Sequence, residues 1–591
     1  MKALALLLLV GMPVFGAVQG GTGTPQAVPL YVDVTAEAGI DFHHVSGPVD
    51  HKDYIFETKG GGVGFFDYDK DGWLDILLVQ GSTVERALSG EKATPALYHN
   101  RGDGTFEDVT GRAGLTGGVW GMGVTFGDYD NDGDDDIYLT QLGPDLLYRN
   151  NGDGTFTDVT AEAGIHADGW STSAAFGDYD GDGLLDLYVA GYLDYGPSHL
   201  PPRNPSCTYL GVPVLCGPRG LQGARDYLYR NRGGGVFEEV SRAVGAEDRN
   251  RYFGLGVLWS DLDGDGDLDL FVGNDATPNY LFENQGDGTF QEIGFISGLA
   301  VSGDGNEQAS MGVDSADYDN DGRLDLFLTH FANDYSTLYH NDGGLMFMDV
   351  SGRAGLKDPE WNLVAWGTRF LDVDNDGWKD ILHSNGHVYP YLAHSDKPEK
   401  FRQPCSLYQN LRDGTFADAS QKAGPDFMQP EVGRGVAFGD YDNDGDLDLI
   451  IANLNGSPRL LRADRRDSNH WIMFRLEAKG GTRDAIGSRL RIECSGLTQI
   501  WEIKRAVGIY SASDPRAHFG LGECDAVEHL QVRWPDGTTQ AFEKVPADRH
   551  YLLRQGGELE PEPFRPEPGG KASDTASAKN PEESPRPRRT L

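Results

Sequence analysis

Seven times the chain repeats Asp-x-Asp-x-Asp-Gly-x-x-Asp, and this spacing of carboxylates is suited to holding a hard divalent cation. The copies supply Asp67, Asp69, Asp71 and Asp75; Asp128, Asp130, Asp132 and Asp136; Asp178, Asp180, Asp182 and Asp186; Asp261, Asp263, Asp265 and Asp269; Asp317, Asp319, Asp321 and Asp325; Asp372, Asp374, Asp376 and Asp380; and Asp440, Asp442, Asp444 and Asp448. Calcium takes six to eight oxygen ligands, and four carboxylates plus a main-chain carbonyl near position 7 can wrap one ion. Glycine at position 6 of every copy lets the backbone reverse at positive φ. The expectation is up to seven structural Ca²⁺ ions.

The flanks of each loop alternate in polarity as strands do, Gly-Val-Thr-Phe-Gly-Asp before the second copy and Asp-Ile-Tyr-Leu-Thr after it. A loop between strands is not an EF-hand, whose flanks are helical. After each of the first six loops comes a second pattern of the type LYxNxGDGTFxDVTxxAG, as in LYRNNGDGTFTDVTAEAG from residue 147, which reads as a hairpin with a tight Gly-Asp-Gly turn. Each unit therefore supplies four antiparallel strands, and four-stranded sheets repeated radially are the blades of a β-propeller. A lone fourth-strand motif, YVDVTAEAG at 31, precedes the first loop, and a lone third strand around Arg459 to Arg462 follows the seventh. Joining them closes the ring. The predicted fold class is all-β, a seven-bladed propeller over residues 30–467 followed by a small β-sandwich-like domain.

At these residues the chain resembles the integrin-α type FG-GAP (VCBS-like) propeller. Residues 469–555, with NHWIMFRLEAKGGTRDAIGSRLRI, HFGLGE and VRWPDGTTQAF, resemble the ASPIC/UnbV domain of the cartilage acidic protein family. By this resemblance the chain is identified as a bacterial-type secreted member of that family, which implies calcium binding and export but no defined activity. The second domain is placed at 468–556. Its own alternation (Trp471, Met473; Leu490, Ile492; Val532, Trp534) reads as β structure. Residues 557–591 turn to Pro, Glu, Ser, Lys and Arg and read as a disordered tail.

The chain of 591 residues carries 92 acids against 50 Lys and Arg, a formal charge of −42. One divalent ion per loop would offset about a third of it, and what remains excludes nucleic acid, whose phosphates need a basic surface. Residues 1–20 combine Lys2, the apolar run Ala3 to Val10 and small residues at Gly16, Ala17 and Gly20, which reads as a cleaved export signal and not a membrane span. The destination is secreted or periplasmic. In an oxidising compartment Cys207 and Cys216 are expected to pair; Cys494 and Cys524 are a second pair, leaving Cys405 odd.

Topology places the acidic loops and Gly-Asp-Gly turns on one face of the ring. The long insertions 40–62, 80–96, 191–226 and 384–406 fall on the other, where binding residues are expected. That face collects His43, His44, Glu57, Arg249, Tyr252, Asp275, Asn279, His330, Asn333, His383, Asn385 and His387. His43, His44, Glu57, Arg249, Asp275, His330, His383 and His387 are the candidate ligand-face residues. The leading functional reading is a binding or scaffold protein that meets an extracellular protein or glycan there. The alternative is an extracellular lyase or hydrolase on polysaccharide using these His, Asp and Arg side chains, although no catalytic motif supports a reaction class and no catalytic residue is assigned. A calcium sensor ranks third, because a closed ring has little room to move. Arg101-Gly102-Asp103 spells an adhesion tripeptide but occupies the hairpin turn common to the repeats. Gly60, Gly61, Gly62 and Gly64 lack the Lys-Ser/Thr of a nucleotide loop and are expected to allow close packing.

Overall fold

The computed structural model describes residues 27–196, 198–201, 207–479 and 483–562. The expected export signal and most of the expected tail lie outside them. Seven sheets carry four repeat strands each. In the first, Val63–Phe66, Asp75–Leu78, Ala96–Asn100 and Phe106–Asp108 pair antiparallel in sequence order. The seventh joins Gly433–Gly439, Asp448–Asn453 and Arg459–Asp464 to Leu30–Asp33 from the other end of the chain, with Leu30 opposite Asp464.

The innermost strand of each sheet is buried along its length or nearly so and touches that of the next: Val63–Phe66, Gly121–Gly127, Ser171–Gly177, Gly254–Ser260, Val313–Ala316, Ala365–Leu371 and Gly433–Gly439. The last of these strands touches the first, so the sheets form a ring. The outer strands are short and alternate: Phe106, Phe156, Phe237, Phe290, Phe347 and Phe416 point into the packing between sheets, and the next residues face solvent or its edge. The DVTxxAG end of the repeat adds a feature that the hairpin reading lacked. Asp108 accepts the Thr110 N–H at 3.0 Å and starts one helical turn, Thr110–Ala113, which Gly114 ends in the left-handed conformation.

The C-terminal domain is two four-stranded sheets, Ala517–Gly522, His470–Glu477, Arg549–Arg554 and Leu559–Pro561 against Leu497–Glu502, Arg489–Cys494, Ala526–Arg533 and Thr539–Pro546. Phe474, Leu490, Ile492, Phe519, Leu530, Trp534 and Leu553 fill the space between them. The fold runs past the expected boundary at 556: Leu559 pairs with Leu553, and Glu562 binds Arg475. The composition of that stretch is tail-like, but its backbone completes a sheet edge. Both expected disulfides are present, and Cys405 is free and buried.

This domain sits on the face that carries the acidic loops and sends residues 504–514 into the central channel. Every sheet contacts that segment. Ser511 and Ala512 pair with Val63 and Gly64 of the first; the Val124 N–H of the second donates to Tyr510 O; and Ser173 Oγ of the third accepts the Tyr510 N–H. Gly508 exchanges backbone bonds with Val313 of the fifth and lies against Gly256 of the fourth and Thr368 of the sixth. Asp514 N donates to Phe438 O of the seventh. Gly508 has φ +73°, and a Cβ there would stand 2.9 Å from Thr368 N, so only glycine fits.

Candidate metal loops and the opposite face of the ring

Each acidic loop joins the first and second strands of its sheet. Its position-6 glycine has φ between +87° and +116°. Position 4, where not glycine, is also left-handed, at +55° to +59° for Lys70, Asn131, Asn320, Asn375 and Asn443. The four carboxylates divide their work. Position 1 accepts the position-6 N–H in six loops, as in Gly72 to Asp67 at 3.0 Å and Gly133 to Asp128 at 2.8 Å. Position 5 caps the N–H two residues on, as Asp71 does for Trp73 at 2.9 Å.

Position 9 ties the loop to its sheet. Asp75 accepts the Tyr68 N–H with one oxygen and the Asn100 N–H with the other, and the pattern recurs at Asp136, Asp186, Asp269, Asp325, Asp380 and Asp448.

These bonds leave charge unanswered. Asp67 Oδ1, Asp128 Oδ1, Asp180 Oδ1, Asp261 Oδ1, Asp319 Oδ1, Asp374 Oδ1 and Asp442 Oδ1 are buried without a hydrogen bond, at least one in each loop. In the first three loops, oxygens of positions 1, 3 and 9 gather within 4.8 Å of one another. Burial, then repulsion between neighbouring carboxylates, pushes Asp67 up to about 7, Asp128 to about 8 and Asp442 to about 8. Burial lifts Asp136 to about 10 and Asp269 to about 8, against the backbone donors that would hold them down. Clustered, desolvated, donor-poor oxygens are the coordination environment of a hard cation. The donor set fits calcium.

The loops are not equivalent. His99 lies 3.2 Å from Asp75; Arg230 is 2.5 Å from Asp180; His340 is 3.2 Å from Asp319; and Arg412 grips Asp376 at 2.5 Å. The C-terminal domain adds Arg533 on Asp261 and His550 on Asp440. In the second loop Asp128, Asp130, Asp132 and Asp136 have no ion-paired base among the described residues.

The opposite face departs from the open site expected there. Of the eight candidate residues, only His43 and Arg249 are exposed. Glu57 is buried and its carboxylate accepts the N–H groups of Asp53 and Tyr54, at 2.6 and 3.0 Å. Asp275 is paired with Lys59 at 3.3 Å and accepts the Tyr192 hydroxyl at 2.6 Å. His383, fully buried, lies 2.9 Å from Glu360 and 3.0 Å from Asn385 Oδ1. His330 is buried in the link between the second and third strands of the fifth sheet. Burial, with nearby cations, drives His44 and His387 down to about 3, so both are neutral.

A cover accounts for the burial of His387. The Cys207–Cys216 hairpin of the third-sheet insertion crosses to the fifth and sixth. Asn333 Nδ2 donates to the Tyr209 hydroxyl at 2.9 Å, and the rings of His387, Phe331 and Tyr389 pack 5.3 to 6.0 Å from Tyr209. Beneath it Phe56, Trp120, Trp170, Trp366, Ile509 and Tyr510 plug the mouth in one apolar cluster. Loops that look like a decorated rim in sequence therefore fold inward over an aromatic core.

A family model for the FG-GAP-like repeat matches residues 67–139, 128–189, 214–272, 261–328, 317–383 and 396–451. The chain belongs to the FG-GAP-like repeat family. A model for ASPIC and UnbV matches residues 478–560. Cartilage acidic protein 1 of Xenopus tropicalis is 27% identical over 325 residues, 52% of this chain and 45% of that protein. Its Homo sapiens counterpart is 28% identical over 289 residues, 46% of this chain and 39% of that protein. The chain therefore matches under half the length of these curated relatives. Among solved structures, Saccharomyces cerevisiae Sqt1 superposes with a TM-score of 0.37 at 12% identity, over 75% of this chain and 100% of that one. An Agrocybe aegerita lectin gives 0.34 at 17%, over 67% and 86%. At these values the likeness speaks to neither ligand nor activity.

Two features of the FG-GAP-like repeats carry weight that the sequence reading did not assign. The asparagine of LYxN reaches across the sheet junction: Asn100, Asn150, Asn231, Asn284, Asn341 and Asn410 donate through Nδ2 to the position-2 carbonyl of the preceding loop, at 2.8 to 2.9 Å. Its recurrence in every copy was the available signal. The other is Arg434, wholly buried, whose guanidinium donates to the carbonyls of Thr58, Gly386 and Gly433 and lies 4.1 Å from the Trp366 ring centre. It occupies the place in Gly-Arg-Gly that Met122, Leu255, Met311 and Trp366 take in, or just before, other first strands, so the break in the repeat was visible.

Proposed function

We propose that the chain is an exported, calcium-loaded scaffold whose acidic loops each hold a structural Ca²⁺ and whose insertion face engages an extracellular protein or glycan. The observation that carries the metal half is that each of the seven loops holds at least one buried carboxylate oxygen without a hydrogen bond. Disulfide bonds agree with export. Among the described residues no helix is long and apolar enough to cross a membrane.

The partner half rests on what remains accessible on the insertion face. Val49 and Leu88 lie on two insertions of that face and Trp361 on the link from the fifth sheet to the sixth, and each is 48% exposed or more. Apolar side chains standing out from rigid loops are suited to a protein or sugar surface, and the strong negative charge favours a neutral or cationic one. The lyase or hydrolase reading has less support, because Glu57, Asp275, His330, His383 and His387 are buried and a polysaccharide could not reach them.

The test begins with elemental analysis of the purified chain after dialysis against calcium buffer, where several equivalents of calcium per chain are expected. Arrays of extracellular proteins and glycans are then probed with and without the metal, and calcium-dependent capture is the expected result. A chain that retains no calcium overturns the reading.

A further inference from the structure

The second acidic loop, Asp128 to Asp136, lies against the C-terminal domain, and the contact places another carboxylate there. Asp484 precedes the strand Arg489–Cys494, and its side chain is 4% exposed. Its neighbour Arg483 donates to the Asp132 carbonyl at 2.9 Å, anchoring this turn on the loop. Arg505 holds Asp135 at 2.7 Å and keeps its Nε 3.7 Å from Asp484 Oδ2. One guanidinium thus serves two acids.

The remaining charge is only partly answered. Asp484 Oδ2 is buried without a hydrogen bond, with Arg505 Nε 3.7 Å away, and its other oxygen accepts a 3.5 Å contact from the Ile486 N–H. Asp128, 1% exposed, gives Oδ2 to Gly133 and leaves Oδ1 bare. The Asp484 carboxylate faces the Asp128 backbone N–H and is the strongest charged neighbour acting on the Asp128 side chain. Both residues line one cleft of about 620 Å³ between the domain and the first two loops. Two buried carboxylates from different domains, each with an empty oxygen, are costly unless a cation answers them.

We propose that Asp484 is a ligand of the cation held by Asp128, Asp130, Asp132 and Asp136, so that this site is completed by the C-terminal domain and its occupancy latches that domain to the ring. The inference rests on the calcium reading above. It makes this loop the point where metal binding and domain docking are coupled, because the ion binds both partners only when they are together.

The test uses the full chain, stripped of metal and titrated calorimetrically with Ca²⁺. Asp484→Asn should weaken one site by at least about tenfold and leave the others unchanged. Its melting temperature should fall below wild type in calcium but match or exceed it in chelator, where the substitution removes like-charge repulsion. An unchanged isotherm, or an equal loss of stability in both conditions, overturns the proposal and leaves Asp484 as a partner of Arg505 only.

If wild type binds no cation at all, the broader reading fails instead. Should Asp484→Asn not fold, Asp130→Asn reports on the same latch from the ring side. At limiting calcium it should speed proteolytic release of the C-terminal domain, and a junction as resistant as wild type overturns the proposal.

Discussion

On the loop face of the ring, buried carboxylates outnumber the groups that could neutralise them; at the opposite mouth, Lys59, Asp275, Glu57, Glu360 and Arg434 have found partners within the chain. Asp67, Asp128 and Asp442 keep oxygens without donors, whereas Asp275 has Lys59 and Tyr192, and Glu360 has His383 and Ser336. Where no counter-charge was at hand, the group gave up its charge: His44 and His387 are neutral imidazoles. A folded chain tolerates buried ionic groups when they are paired or discharged. On the loop face pairing reaches only some of the carboxylates and burial favours protonation of others, so a cation from outside the chain, as proposed above, would complete the compensation.

Chelation should break this comparison most strongly. Removing metal from the full chain should lower the melting temperature by on the order of 10 °C or more, since a ligand bound well above its dissociation constant adds about 3–4 kcal/mol per site. Added calcium should restore it. An unchanged melt in calorimetry would mean that the loops are self-sufficient and the two faces alike.

Asp275→Asn probes the other side. It leaves the Lys59 ammonium buried against Tyr192 and Trp366 without its counter-charge, and breaking such a pair costs about 3–5 kcal/mol. Urea unfolding should show this loss equally with and without calcium. A loss that appears only in chelator would show that the faces are coupled.

Gly508→Ala tests the segment that runs between them. Its left-handed φ and the clash with Thr368 should cost about 1–3 kcal/mol. Because residues 504–514 touch all seven sheets, ring and C-terminal domain should lose stability in one transition. Two separated transitions in calorimetry would mean that the segment is a passenger in the channel.

The acidic loops, the four-strand unit and the joining of Leu30–Asp33 to Arg459–Asp464 were readable because each is local or repeated. A turn needs glycine at a fixed place, a strand shows period two, and a missing strand at one end matches a spare one at the other. The Cys207–Cys216 bond was legible for the same reason, its partners being close along a short hairpin.

What the insertions and the second domain do was not written in any short stretch. HSNGHVYP looks like a polar loop, yet His387 is buried under a hairpin from the third sheet and His383 within the packing of its own strand against Glu360, Phe327 and Tyr408. RAVGIYSASD looks like a connection within a β domain, yet it fills a channel built from seven distant strands. Amino-acid order alone determined the loops, their spacing and the ring that the repeats build, since these depend on backbone conformation and neighbours in sequence. The tertiary structure alone decided which face is covered, which charges are paired and where Asp484 meets Asp128, because burial depends on segments hundreds of residues apart.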